Sequence, residues 1–132
     1  MPPTVHSLDH LVLTVRDLDA TRTFYADVLG MRPEVFTATD GTTRHALTFG
    51  AQKINLHRAG QEFEPKARNP APGSADLCFL TTTPLPDWQA HLTTHAVTVE
   101  LGPIQRTGTQ RPILSIYIRD PDGNLIEIAT QP

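Results

Sequence analysis

The sequence has few of the features that mark specialised classes of protein. A single cysteine, Cys78, cannot form an internal disulfide, and its apolar neighbours predict a buried structural thiol. No apolar run approaches the roughly 18 residues that a membrane span needs, and no charged segment followed by an apolar one opens the chain. We therefore expect a cytoplasmic protein with no membrane partner.

The chain also has no excess of basic residues. Its 132 residues include 11 Lys and Arg against 14 Asp and Glu, a formal net charge of −3. No stretch collects positive charge on one side, as a nucleic-acid-binding surface would. We therefore expect a small molecule as the partner, and no nucleic acid.

The first part of the chain predicts a strand, a helix and three more strands. Residues 8–15 read Leu-Asp-His-Leu-Val-Leu-Thr-Val, a β-branched run typical of a strand. Asp17 can cap an amphipathic helix that Gly30 ends. Turn-forming residues then separate three further predicted strands, near residues 32–37, 44–49 and 53–58.

After a proline-rich linker, the same order repeats. A strand is predicted at residues 76–81, a helix at 86–95, and three strands at 97–101, 113–119 and 125–129. A shift of about 66 residues superposes His10 on Asp76 and aligns the apolar patterns of the two halves.

This repeat predicts an α+β fold built as a single domain over residues 1–132. Module 1 spans about residues 7–58, the linker about 59–74 and module 2 about 75–130. Each module is a βαβββ unit. We expect the two to form a cupped mixed sheet with the helices on the outer face and a ligand-sized concavity inside.

Several polar residues stand between apolar neighbours in these strands. Burying an ionisable group is costly unless a partner satisfies it. Glu127 alternates with Ile126 and Ile128, so its side chain is expected to point into the cup. The other candidates of this kind are His10, Asn55, His57 and Asp76.

Imidazole and carboxylate groups suit divalent ions such as Zn²⁺, Ni²⁺, Fe²⁺ or Mn²⁺. We predict a site made by His10, His57 and Glu127, with Asp76 as a fourth ligand. The alternatives stay open: His10 could be a hydrogen-bonded core histidine, Asp76 a capping acid, and Glu127 the partner of an arginine.

Two arginines, Arg106 and Arg111, lie in a polar segment that we interpret as a loop. Arginines in such loops are usually solvated, but these two could also bind an anionic substrate.

Three segments carry a family resemblance: residues 8–11 (Leu-Asp-His-Leu), residues 24–31 at the end of the first helix, and residues 120–127. With them the chain resembles the vicinal-oxygen-chelate superfamily, in which glyoxalase I, fosfomycin-resistance proteins and extradiol dioxygenases share paired βαβββ modules. Residues 53–57 and 74–78 are most similar to the glyoxalase domain-containing or virulence-associated group.

The resemblance implies that His10 and Glu127 are the metal ligands of the first and last strands. Glyoxalase I usually has a Glu where Asn55 falls and a His where Asp76 falls, so the match at these two positions is not literal. Whether Asn55 or His57 is the fourth-strand ligand stays open, with His57 preferred.

The activity implied is that of a metal-dependent lyase or isomerase acting on a small molecule with vicinal oxygens. Glu127 or Asp76 would shuttle the proton, and Asn55, Arg106 and Arg111 would contact the substrate. An extradiol-type dioxygenase and a non-catalytic, bleomycin-resistance-like binding protein are the alternatives. We also expect a homodimer, because members of the family commonly pair halves across subunits and exposed sheet edges need covering.

Overall fold

The computed structural model describes all 132 residues, which divide into two units, Met1–Ala71 and Pro72–Pro132. Each unit contains one βαβββ module, and the boundary falls inside the proline-rich segment that the sequence predicts as a linker. The predicted α+β class with two such modules is confirmed. The treatment of residues 1–132 as a single domain stays a prediction.

Unit 1 forms a four-stranded mixed sheet with the strand order β1-β4-β3-β2. The first and last strands pair in parallel and the other pairs are antiparallel. Its elements are β1 (His10–Val15), α1 (Leu18–Asp27), β2 (Arg32–Thr37), β3 (Thr43–Phe49) and β4 (Gln52–Arg58).

Alternation along these strands produces one buried face. Leu13, Ile54 and Leu47 share that face by register and are at most 4% exposed. Helix α1 begins where the Asp17 side chain accepts a hydrogen bond from the Ala20 amide at 3.0 Å, as the sequence predicts. The apolar face of unit 1 is thereby covered while the opposite face carries the polar residues.

Unit 2 repeats this arrangement with the strand order β5-β8-β7-β6, again with its first and last strands parallel. Four isoleucines of β7 and β8 and Leu92 of the helix are at most 1% exposed: Ile116, Ile118, Ile126 and Ile128. Its elements are β5 (Asp76–Leu80), α2 (Leu85–Thr94), β6 (Leu101–Thr107), β7 (Pro112–Arg119) and β8 (Leu125–Thr130). Neither α1 nor α2 has the length and apolarity that crossing a membrane would require.

The predicted strand at residues 97–101 is wrong, because β6 begins at Leu101 and runs to Thr107. Glycine and proline at 102 and 103 suggest a break, yet a β-bulge between Leu101 and Ile104 accommodates them, since a bulged residue need not donate to the ladder. Gly102 adopts a φ of 106°, and a side chain there would collide with the Ser115 carbonyl. Arg106 therefore lies on a strand and not in a loop.

A buried polar network holds the turn between β7 and β8. Asp120 accepts hydrogen bonds from the backbone and side-chain amides of Asn124 at 2.9 and 2.8 Å. The Asn124 side-chain oxygen accepts from the Ala75 amide at 2.8 Å. Asn124 is only 1% exposed, so it ties the start of β5 to the start of β8 without access to water.

We expect Asn124→Ala to destabilise the protein by about 2–3 kcal/mol, because it removes the acceptor of the Ala75 amide and one donor to the nearly buried Asp120 carboxylate. The measurement is the free energy of unfolding from denaturant titration. Asn69→Ala, at an exposed position, is the control and should change it by less than about 0.5 kcal/mol. Equal effects of the two substitutions would contradict the structural role of Asn124.

Candidate functional site

Glu127 lies at the centre of one face of the unit 2 sheet. In the register of the strands it stands opposite Cys78 on β5 and Tyr117 on β7. Its neighbours Ile126 and Ile128 point to the other face and are 0% and 1% exposed. The side-chain orientation therefore follows the alternation in the sequence.

This face forms the wall of a cavity of about 760 Å³. That volume is within the range of small-molecule sites in proteins, roughly 300–1,000 Å³. The strand residues that line it are Cys78, Leu80, Arg106, Thr107, Ile113, Tyr117 and Glu127, and the β6–β7 turn closes one side. Unit 2 alone thus supplies a concave site with both apolar and ionisable groups.

Two side chains donate hydrogen bonds to Glu127. The Ser115 hydroxyl lies 2.5 Å from one carboxylate oxygen, and Ser115 is fully buried. The Cys78 thiol also hydrogen-bonds the carboxylate. Donors fixed from two strands restrict the rotamers of Glu127 and aim the carboxylate at the cavity.

The expectation that Cys78 is a buried structural thiol is wrong. Its side chain is exposed at the cavity wall, because alternation along β5 sends Leu77 and Phe79 to the covered face instead. Partial burial and the charge and hydrogen bond of Glu127 raise the pKa of Cys78 to about 11, with a further contribution from Asp76. Cys78 is therefore a protonated donor at neutral pH.

Arg106 and Arg111 have different positions despite their proximity in the sequence. Arg106 lines the cavity, and its Nε donates to the Tyr117 hydroxyl at 3.0 Å. Arg111 is exposed in the turn before β7 and is not among the lining residues. Only the first of the two predicted substrate contacts therefore faces the cavity of unit 2.

Sequence reasoning missed Ser115 and Tyr117. Both alternate with Ile116 and Ile118 along β7, which is the same parity signal that identifies Glu127 on β8. A hydroxyl between isoleucines is a weaker sign of a functional residue than a carboxylate, because a hydroxyl costs less free energy to bury.

His10, at the start of β1 in unit 1, has a carboxylate partner. Its Nδ1 lies 2.8 Å from an Asp9 oxygen, and this hydrogen bond lowers the pKa of Asp9. The other ring nitrogen, Nε2, stays available. Histidines that bind metals commonly use the second nitrogen for such a carboxylate contact.

The strand register places Asn55, and not His57, near His10. His10 stands opposite Lys53, so Asn55 is a diagonal neighbour about 7–8 Å away on the same face. His57 stands opposite Thr14, four residues further along, which is about 13 Å of strand. The register therefore brings Asn55 closer to His10 than His57.

Asn55 also has an unsatisfied acceptor. Its side-chain oxygen is buried and has no hydrogen-bond partner. A buried acceptor without a donor costs about 1–3 kcal/mol, so such an atom marks a place where a cation or a ligand donor would be stabilised.

The surroundings of His57 are those of a core histidine. It is 7% exposed, and the Phe63 ring contacts it edge to face at 5.5 Å between centroids. Burial and the positive charge of Arg44 lower the pKa of His57. Arg44 stacks on the other ring of this cluster, with its guanidinium carbon 3.7 Å from the Phe63 centroid.

The four-residue ligand set from the sequence draws His10 and His57 from unit 1 and Asp76 and Glu127 from unit 2. Asp76 is exposed at the start of β5, a diagonal neighbour of Glu127 in the parallel register. The chain contains no group of three or more His, Cys, Asp or Glu side chains that could hold a metal ion. The complete set stays a prediction.

We expect Glu127→Gln to speed the alkylation of Cys78 by iodoacetamide several-fold at about pH 8, because loss of the adjacent negative charge lowers the thiol pKa and increases the reactive thiolate. The measurement is the alkylation rate against pH, with a wild-type midpoint near 11. Glu100→Gln, which removes a carboxylate that pairs with Arg119 instead, should leave the rate unchanged. Equal rates in wild type and Glu127→Gln would contradict the contact.

Comparison with known proteins identifies the family of this chain. The model of the Glyoxalase/Bleomycin resistance protein/Dioxygenase superfamily matches residues 7–128. Virulence protein STM3117 of Salmonella typhimurium strain LT2 is 53% identical over 125 residues, which cover 95% of this chain and 84% of that protein. Glyoxalase domain-containing protein RDO1 of Mycosarcoma maydis is 54% identical over 127 residues, covering 96% of this chain and 69% of that protein.

Solved structures of similar proteins support the same family. A protein from the mobile metagenome of V. Pseudocholerae has a TM-score of 0.94 at 51% identity, with 100% of this chain and 99% of that chain covered. Lactoylglutathione lyase from Agrobacterium tumefaciens has a TM-score of 0.68 at 26% identity, with 98% and 96% covered. The resemblance noted in the sequence is confirmed, and the chain belongs to the Glyoxalase/Bleomycin resistance protein/Dioxygenase superfamily.

Proposed function

We propose that the protein is a metal-dependent lyase or isomerase that acts on a small molecule with vicinal oxygens. The observation that carries the proposal is the orphaned side-chain oxygen of Asn55 beside His10, whose Nδ1 is already engaged by Asp9. One nitrogen and one oxygen donor on neighbouring strands suit a borderline divalent ion such as Zn²⁺, Ni²⁺, Fe²⁺ or Mn²⁺.

Unit 2 offers a second pair of ligands, which consists of two carboxylates. Asp76 and Glu127 occupy its first and last strands as diagonal neighbours, as His10 and Asn55 do in unit 1. The metal ligands that we propose are His10 and Asn55 in unit 1 and Asp76 and Glu127 in unit 2, with Asn55 in place of His57. A bound divalent ion would supply Lewis-acid polarisation of a substrate oxygen.

Glu127 is the residue that we assign to proton transfer. It faces the cavity, and the hydrogen bonds from Ser115 and Cys78 fix its direction. A positioned carboxylate of this kind contributes typically 10²–10⁴-fold to a reaction rate. Asp76, which is exposed two residues before Cys78, is the alternative proton carrier on the same face.

The likeness to a lactoylglutathione lyase supports lyase chemistry for this chain. An extradiol-type dioxygenase is the alternative enzyme class, since Fe²⁺ also uses mixed nitrogen and carboxylate ligands. We keep a cytoplasmic homodimer as part of the proposal. The dimer is favoured because β2 and β6 are edge strands of the two sheets, and such edges need covering.

The cavity of unit 2 favours a second candidate, a non-catalytic binding protein. Its wall combines the apolar side chains of Leu80, Ile113 and Tyr117 with hydrogen-bonding groups, and its volume suits a drug-sized ligand. Such a protein needs no metal, so metal binding separates the two candidates.

The test is a calorimetric titration of protein purified without a chelating tag and stripped of metal, with elemental mass spectrometry after dialysis. We expect about one ion of Ni²⁺, Zn²⁺, Fe²⁺ or Mn²⁺ per chain. His10→Ala, Asn55→Ala and Glu127→Gln should each weaken binding at least roughly tenfold, because even groups that only orient a ligand cost about that much.

His57→Gln is the matched control and should bind the ion as wild type does, since its ring lies against Phe63 and Arg44. Loss of the ion in His57→Gln but not in Asn55→Ala would instead restore His57 as the ligand. No binding of any of the four ions would overturn the metal-dependent function in favour of the binding protein.

A further inference from the structure

We propose that the cavity of unit 2 binds an organic anion, with Arg106 holding a carboxylate or phosphonate group of the ligand and the apolar wall holding its body. As a statement about the substrate class, this inference rests on the proposed function. The geometry that carries it lies entirely within unit 2.

Arg106 is the only cationic side chain that lines the cavity, and Glu127 is the only acidic one. A basic group inside a concave site is notable in a chain with a net charge of −3. An anionic group of a ligand is therefore stabilised beside Arg106 and destabilised beside Glu127.

Arg106 forms no ion pair, in contrast to other arginines of the protein. Arg119 pairs with Glu100 and Arg44 with Asp40, at 3.1 and 3.0 Å. The only polar partner of Arg106 is the neutral hydroxyl of Tyr117. Its positive charge is therefore available to a ligand.

Tyr117 orients this charge. Its hydroxyl accepts from Nε of Arg106 at 3.0 Å, and the guanidinium carbon lies 5.6 Å from its ring centroid. With Nε engaged, the two terminal nitrogens remain as a planar fork, which matches the two oxygens of a carboxylate. The site is thus suited to a planar or tetrahedral oxyanion and not merely to any negative charge.

The other side chains of the cavity wall determine which groups the ligand can carry besides its anionic group. Leu80 is 60% exposed on the cavity side of β5 and, with Ile113 and the Tyr117 ring, offers apolar surface. Tyr117 stands opposite Glu127 in the register, so the carboxylate lies on the other side of the tyrosine from Arg106. A second anionic group would be repelled there, while a hydroxyl could donate to Glu127.

The ligand class is therefore a small organic monoanion with an apolar body. Mandelate has this composition, and mandelamide is its neutral counterpart. We expect metal-free protein to bind mandelate in a calorimetric titration and to bind mandelamide at least roughly tenfold more weakly. Binding should weaken as salt is added.

Arg106→Gln should weaken mandelate binding about 10- to 100-fold and remove the preference over mandelamide, because it deletes a charge-assisted contact. Tyr117→Phe should weaken it several-fold by releasing the guanidinium. Arg68→Gln, at an exposed position of unit 1, is the charge-matched control and should bind as wild type does. Thermal unfolding of each variant verifies that it is folded.

Three results would overturn the inference: no binding of mandelate, equal binding of mandelate and mandelamide, or a loss in Arg111→Gln without one in Arg106→Gln. The metal titration distinguishes this failure from that of the proposed function. A protein that binds the divalent ion but not mandelate keeps the metal-dependent function and loses the anion. Mandelate binding that depends on Arg106 in a protein without metal affinity keeps the anion site alone.

Discussion

The parallel pairing of the first and last strands in each unit is the constraint on which the rest of the structure depends. In β1–β4 and β5–β8, each strand is extended and alternates its side chains, so a single register decides which polar residues become neighbours. That register sets Asn55 diagonal to His10 and Cys78 beside Glu127. A shift of one residue would send the buried isoleucines to the cavity and the carboxylate to the core.

Polar groups on the resulting faces differ in how completely they are satisfied. Glu127 receives hydrogen bonds from Ser115 and Cys78, and the Asp120–Asn124 pair closes the turn before its strand. The side-chain oxygen of Asn55, in contrast, is buried without a donor. Satisfied groups position neighbouring side chains, and the unsatisfied one costs stability unless something binds there.

Two predictions from the sequence differ from the structure for the same reason. The run around Cys78 has four consecutive apolar residues and does not indicate which face each one occupies, so the sequence predicts a buried thiol although Cys78 is exposed at the cavity. The sequence predicts a strand at residues 97–101 and a loop around Arg106, yet a bulge between Leu101 and Ile104 continues β6 and places Arg106 in the cavity wall. In both, the deciding contacts come from another strand and not from adjacent residues.

The sequence by itself determined the order of the elements, the α+β class with its internal repeat and the direction of Glu127. These features depend on local periodicity and on turn residues, which neighbouring positions encode. Only the tertiary structure decided that Asn55 and not His57 lies near His10, that Arg106 and not Arg111 lines the cavity, and that Ser115 and Tyr117 belong to the site. These features depend on the register between strands that are distant in the sequence, and no local pattern specifies the register.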